Sequence, residues 1–204
     1  MMINGWLIIA YFIATSFSGV IGFYLPQHHE RFSTKCRGAS DDAQDFISKN
    51  YPSAFGLMSK NNDAMKAINK SESGFTVFAP NEKAFDSLGD KKKGQLNDVR
   101  NEEVTEKIAA YHVIAEPVTD KQLFNSGGVI TLAGEVPCER STSGGMFGIG
   151  GKEDGGVTLN GSKVVKSTEF TENDKLCIVH EMDGLISPTI MWRYADQLRI
   201  PGSK

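Results

Sequence analysis

The sequence predicts an α+β domain, helices first and strands later, preceded by one N-terminal transmembrane helix. Three observations carry this expectation. "GWLIIAYFIATSFSGVIGFYLP", Gly5 to Pro26, contains no charged residue. Most of the stretch from Asp41 to Tyr111 spaces its apolar side chains for helices, interrupted by one short apolar run. From Gly127 to His180 apolar and polar residues alternate around Gly-containing turns, the pattern of antiparallel hairpins.

The apolar stretch extends over about twenty residues, the length a bilayer core requires. Trp6 and Tyr24 stand where interfacial aromatics belong. Ala10, Ala14, Ser18 and Gly22 recur every fourth residue, a seam of small side chains against which another helix can pack. Ser16 and Ser18 also suit a cleavage site behind a short apolar core from Trp6 to Ala14, which makes a discarded signal peptide the alternative. A retained anchor is the reading adopted, because the apolar run continues past Ser18 to Leu25. Residues 1–25 are thus assigned to a transmembrane helix and 26–41 to a polar linker.

"DDAQDFISKNYPSAFGLMSKNNDAMKAINKS" predicts two short helices broken around Pro52. "GFTVFAP" then reads as a buried strand stopped by Pro80, and Asn81 is placed to cap a helix starting at Glu82. The basic run "DKKKG", Asp90 to Gly94, reads as a solvated loop. "NEEVTEKIAAYHVI" places Val104, Ile108 and Tyr111 at helical spacing, with Asn101 or a neighbour as cap, and turns extended before Pro117. "GGVITLAGEVPCE" and "GGVTLNGSKVVKSTEF" each read as a hairpin, separated by a Gly-rich loop from Ser141 to Gly156. Leu176 to His180 supplies a final strand. In the tail, residues 189–204, Ile190, Met191, Tyr194 and Leu198 would share one face of a short helix, beside Trp192. That helix either packs back onto the domain or docks on a neighbouring subunit.

"GFTVFAPNEKAF" (Gly74 to Phe85), "YHVI" (Tyr111 to Ile114) and "CIVHEMDGLISP" (Cys177 to Pro188) resemble, in order and spacing, the signature segments of the fasciclin (FAS1) domain. The similarity covers residues 42–188, with Glu181 and Met182 standing where an apolar pair is usual. It implies a wedge-shaped β-sandwich of about seven strands with helices packed along one side, and a binding or adhesion role without catalysis. It also implies a place outside the cytoplasm, on the cell exterior or in an organelle lumen such as the thylakoid lumen or intermembrane space. The charge pattern points the other way, since Arg31, Lys35 and Arg37 follow the apolar stretch and none precedes it. The family expectation is followed here. In relatives the Tyr-His segment is linked to adhesion, which makes Tyr111 and His112 candidate partner-binding residues along with Trp192 and Tyr194. The competing reading of Tyr111 and His112 is a hydrogen-bonded core element.

No catalytic, cofactor or metal constellation is found. His180-Glu181 lacks the second histidine of a zincin helix, "GIGGKE" lacks phosphate-loop spacing, and there is no Gly-x-Ser-x-Gly elbow. A formal net charge of -3 argues against nucleic acid as a partner. Of the three cysteines, Cys138 and Cys177 fall in expected strands, as a disulfide or as two buried free thiols. Asn69 and Asn160 head glycosylation triplets at expected turns. The functional expectation is a single-span accessory subunit of a membrane complex, binding protein partners through its domain and tail and neighbouring helices through its seam. A secreted or cell-surface adhesion protein is the alternative.

Overall fold

A computed structural model describes residues 38–143 and 152–197, with the side chains of residues 143, 152 and 153 left out of the description. Three helices come first: α1 (Ala39–Asn50), α2 (Pro52–Met58) and α3 (Asn62–Lys70). In α1, Asp41 and Asp42 occupy the first turn and Lys49 the last, matching the helix dipole, while Ala43 and Ile47 form its buried stripe. Pro52 ends α1 and opens α2, because proline lacks the N–H that a helix interior needs and a first turn does not. The expected pair of helices is therefore three. Asn61 starts the third by accepting the Ala64 N–H at 2.8 Å.

Strand β1 (Gly74–Pro80) is buried along its whole length. Phe75, Val77 and Ala79 face the core shared with α1–α3, and Phe78 faces the opposite core. A strand covered on both faces needs a continuous apolar run, which "GFTVFAP" supplies. Beyond it lie α4 (Glu82–Asp86), α5 (Gly89–Asn97), a 3₁₀ turn (Val99–Asn101), α6 (Glu102–Ala110), β2 (Val113–Ile114) and α7 (Asp120–Asn125). Asn81 caps α4 through the Ala84 N–H at 2.9 Å, as expected. Asn101 precedes α6 without a capping bond from its side chain; its Nδ2 donates to the Gln95 carbonyl instead.

The expected loop at Asp90 to Gly94 is helical, in α5. Gln95 and Leu96 are buried, and other groups of the domain engage the lysines. Lys93 meets Asp86 at 2.9 Å, Lys91 meets Asp196 at 3.1 Å, and Lys92 lies 5.0 Å above the Trp192 ring. A polar sequence pattern alone does not reveal such partners.

The remaining strands are β3 (Gly128–Thr131), β4 (Gly134–Ser143), β5 (Lys152–Leu159), β6 (Ser162–Glu172) and β7 (Lys175–Met182), followed by α8 (Thr189–Gln197). Both hairpins form as expected. Asn160 and Gly161 take φ of 48° and 83°, the geometry of a tight turn matched to strand twist. The ends of the expected Gly-rich loop belong to strands: Thr142 pairs with Glu153 and Ser143 with Lys152, so the ladder extends into it from both sides.

The strands run β2-β1-β7-β6-β5-β4-β3. All neighbours are antiparallel except β1 and β7, which run parallel. The Leu132 N–H, just past β3, donates to the Val113 carbonyl in β2 at 3.0 Å and brings the two ends of the order together. The seven strands therefore form one mixed, nearly closed barrel instead of the two separate sheets expected of a sandwich. Gly74 shows how tightly this parallel pair fits. At φ 114° a Cβ there would stand 1.7 Å from the Leu176 carbonyl oxygen, so no other residue is accommodated.

Candidate functional site

Tyr111 and His112 follow directly on α6, and both are buried. His112 Nδ1–H donates to the Ile108 carbonyl at 2.8 Å, while Nε2 accepts the Ile186 N–H at 3.0 Å. One ring nitrogen donates and the other accepts, so the imidazole is held neutral. Burial lowers its pKa to about 4, against a smaller opposing effect of the Ile108 bond. His180 on β7 is arranged the other way round. Its Nε2–H donates to the Val118 carbonyl and its Nδ1 accepts from Ser167, both at 2.8 Å, with the ring stacked on Phe78 at 5.4 Å. Its pKa is also lowered by burial.

The three signature segments thus interlock in space, through Phe78, His112, His180 and Ile186. His112 is a hydrogen-bonded element of the core, and Tyr111 is buried beside it. His112 has no exposed surface and its ring nitrogens are occupied within the domain, so it does not reach a partner in this conformation.

Glu181 follows His180 on β7 and points to the opposite face. Its carboxylate accepts the Tyr51 hydroxyl and the Asn81 Nδ2, each at 3.0 Å. Because Tyr51 joins α1 to α2 and Asn81 caps α4, one carboxylate fastens three helical segments to the sheet. Burial, and then the adjacent Glu181, push the Tyr51 pKa up to about 12. This role was not legible in the sequence, where Glu181 stood out only as a polar residue in an apolar position.

Helix α8 packs onto the domain through Met191 and Ala195, with Trp192 against the same core and its Nε1–H bonded to Ser187 Oγ at 2.9 Å. Ile190 and Tyr194 do not share that face. They remain 45% and 50% exposed, so the tail both completes the core and offers apolar surface. Leu198 lies outside the described residues.

A second feature is a groove of about 450 Å³ between α7 and strands β5 and β6. Helix α7 is positioned by a reciprocal capping box between Thr119 and Gln122. Strands β5 and β6 pair only at Thr158↔Lys163 and Leu159↔Ser162. Next to that short ladder β6 bulges: Val164 pairs with Met182 and Lys166 with Glu181, which leaves Val165 as an extra residue, 56% exposed in the groove wall. The other rim carries Arg140 stacked on Phe124 at 4.7 Å.

Cys138 and Cys177 are free thiols, not a disulfide, because they lie in different cores on opposite faces of the sheet. Asn160 occupies its expected turn, whereas Asn69 lies in the last turn of α3; both are exposed. Among the described residues no helix is long and apolar enough to cross a membrane, and no group of three or more His, Cys, Asp or Glu side chains is placed to hold a metal. The apolar stretch Gly5 to Pro26, with Ala10, Ala14, Ser18 and Gly22, lies outside the described residues.

With the histidines engaged in the core, surface relief is what this domain presents to other molecules, as an interaction module does. The fasciclin domain model matches residues 50–188, more than half of the chain, and the chain belongs to that family of protein-interaction and adhesion modules. Protein sll1483 of Synechocystis sp. (strain ATCC 27184 / PCC 6803 / Kazusa) is 31% identical over 126 residues, covering 62% of this chain and 61% of that protein. The chain therefore aligns with less than two thirds of that relative. A solved FAS1 domain pair from the insect cell adhesion molecule Fasciclin I is 16% identical, covering 73% of this chain and 45% of that one, at a TM-score of 0.36.

Proposed function

We propose that the chain is a non-catalytic, single-span accessory subunit of a membrane protein complex, with its fasciclin domain on the extracytoplasmic or luminal side. The observation that carries this reading is the division of α8 into two faces. Met191 and Ala195 are buried in the domain, while Ile190 and Tyr194 stay exposed beside a rim that includes Trp192 and Lys92. Exposed aromatic and aliphatic side chains on a helix already fixed to its domain are preorganised to meet a partner. The uncharged stretch Gly5 to Pro26 supports membrane attachment, and its small-residue seam supports a helical neighbour.

Extraction in mild detergent followed by native electrophoresis tests the proposal. Migration in a high-mass assembly is expected, and replacing both Ile190 and Tyr194 by aspartate should release the chain from it. Migration of the wild-type chain as a solitary monomer would overturn the subunit reading. The exposed sequons at Asn69 and Asn160 favour the second reading, a secreted or cell-surface adhesion protein. N-terminal sequencing of the mature chain separates the two: a start at Gly19 indicates secretion, and a start near Met1 indicates the anchor.

A further inference from the structure

We propose that the outer edge of β3 pairs with β3 of a second copy of this chain, antiparallel and about a two-fold axis at Val129. This pairing goes beyond the α8 contact and rests on the membrane-subunit reading only for the local concentration of chains. Two backbone bonds fix which groups point outward. The Cys138 N–H donates to the Gly127 carbonyl at 3.1 Å, so Gly127 faces β4, as do Val129 and Thr131 by the alternation of a strand. The Leu132 N–H donates the other way, to the Val113 carbonyl at 3.0 Å, so Gly128 and Ile130 share that outer side. Below that bond the seam between β2 and β3 opens. Strand β2 ends at Ile114, and Thr76 draws the following residues over to β1. Its Oγ1 donates to the Glu116 carbonyl at 2.8 Å and accepts the Val118 N–H at 2.7 Å. Among the described residues no hydrogen bond reaches the outward N–H and C=O groups of Gly128 and Ile130.

Strand edges are ordinarily guarded against such pairing by lysine, proline or a bulge, and "GVIT" in β3 carries none of these. It presents Ile130, 78% exposed, with Leu132 two residues on at 39%. The occupant follows from the alternation of sizes. With Gly128 opposite Ile130 of the other copy, and Ile130 opposite its Gly128, every outward N–H and C=O of these residues finds a partner. Each Ile130 side chain then lies over a glycine, where no side chain competes for the space. A foreign strand would need the same small-then-bulky alternation, which β3 supplies to itself. Glu135, the neighbour of Ile130 on β4, stays one strand further out in each copy, so like charges do not meet. The contact is small, because a stable interface between free proteins buries about 800 Å² per partner and one short strand pair falls well below that. Chains held in one membrane or assembly need far less, since tethering raises their effective concentration to the order of mM.

Cross-linking of the full chain in its membrane tests the pairing. Cys36→Ser provides the background, because Cys138 and Cys177 are buried. A bismaleimide spanning about 8 Å, the diagonal distance between same-face residues of paired strands, should link Ile130→Cys to its counterpart. Leu132→Cys in two copies would stand roughly 20 Å apart in this register, and Val99→Cys is an equally exposed control away from the strand; neither should link. Separately, Ile130→Lys should speed hydrogen exchange in residues 128–131 about tenfold while exchange elsewhere is unchanged. Absence of the 130–130 link, equal linking at Leu132 or Val99, or unchanged exchange in Ile130→Lys would each overturn the pairing. Native electrophoresis of the Ile130→Cys preparation keeps the two ideas apart. A high-mass assembly without the link removes the pairing and leaves the subunit reading. A linked pair of chains that migrates with no other protein removes the subunit and leaves the pairing.

Discussion

Replacing His112 by glutamine should flatten the pH dependence of stability on the acid side of neutrality. In the folded domain His112 is wholly buried, with Nδ1–H bonded to Ile108 and Nε2 accepting from Ile186, and its pKa falls from 6.5 to about 4. In the unfolded chain the imidazole titrates near its ordinary value. Between pH 6.5 and about 4 the unfolded state therefore binds a proton that the folded state refuses. Stability is fully present above the unfolded pKa and is lost as pH falls toward the folded one, at up to about 1.4 kcal/mol per pH unit. The whole window amounts to about 3 kcal/mol, a large share of the 5–15 kcal/mol typical of a domain.

His180 acts in the same direction, so the wild-type slope contains both histidines and the variant isolates one. Urea unfolding at a series of pH values, followed by circular dichroism, is the appropriate assay. His112→Gln should be less stable at neutral pH by about 1–3 kcal/mol, because glutamine does not reproduce both ring hydrogen bonds. Its stability should then decline less steeply with acid, so that the two curves converge as pH falls toward 4.5 or thereabouts. Parallel curves for wild type and variant across this range would refute the neutral, buried imidazole and the motif's role as a core lock.

Glu181→Ala should cost about 2 kcal/mol by leaving Tyr51 and Asn81 without their shared acceptor. The same change should bring the Tyr51 pKa down from about 12, and an ultraviolet titration showing no such fall would contradict the assigned bond. Cys138 and Cys177 should resist a membrane-impermeant maleimide in the native protein and react once denaturant is added. Peptide mapping that found either one labelled under native conditions would contradict its burial.

Local signals account for what the sequence revealed. Asn160-Gly161 determines its own turn, Asn81 its own cap, and the unbroken apolar run of β1 its burial on both sides. Features that depend on distant residues were hidden. The lysines of α5 find partners in Asp86, Asp196 and Trp192, and nothing within Asp90 to Gly94 announces them. Barrel closure depends on a single backbone bond from Leu132 to Val113. Helix α7 was missed although its capping-box residues, Thr119 and Gln122, stand in the sequence at the right spacing. For the candidate site, the sequence identified the tail helix but misjudged its faces. Met191 was grouped with Ile190 and Tyr194, yet it is buried where they are exposed.

The position of these failures has a physical explanation. The segments that resemble the family most are the ones that meet inside the domain, where His112 and His180 make hydrogen bonds that leave no ring nitrogen for a ligand. A scaffold locked in this way tolerates change at its surface, since neither the bulge at Val165 nor the outer face of α8 carries a core contact that those locks require. The surface feature that stands out is a helix already seated on its core that keeps Ile190 and Tyr194 exposed. Neighbouring exposed apolar side chains on a fixed helix are the kind of surface that a partner can cover. The proposed partner contact therefore rests on the outer face of α8, where Ile190 and Tyr194 are exposed, while the Tyr-His segment by which the family is recognised is buried.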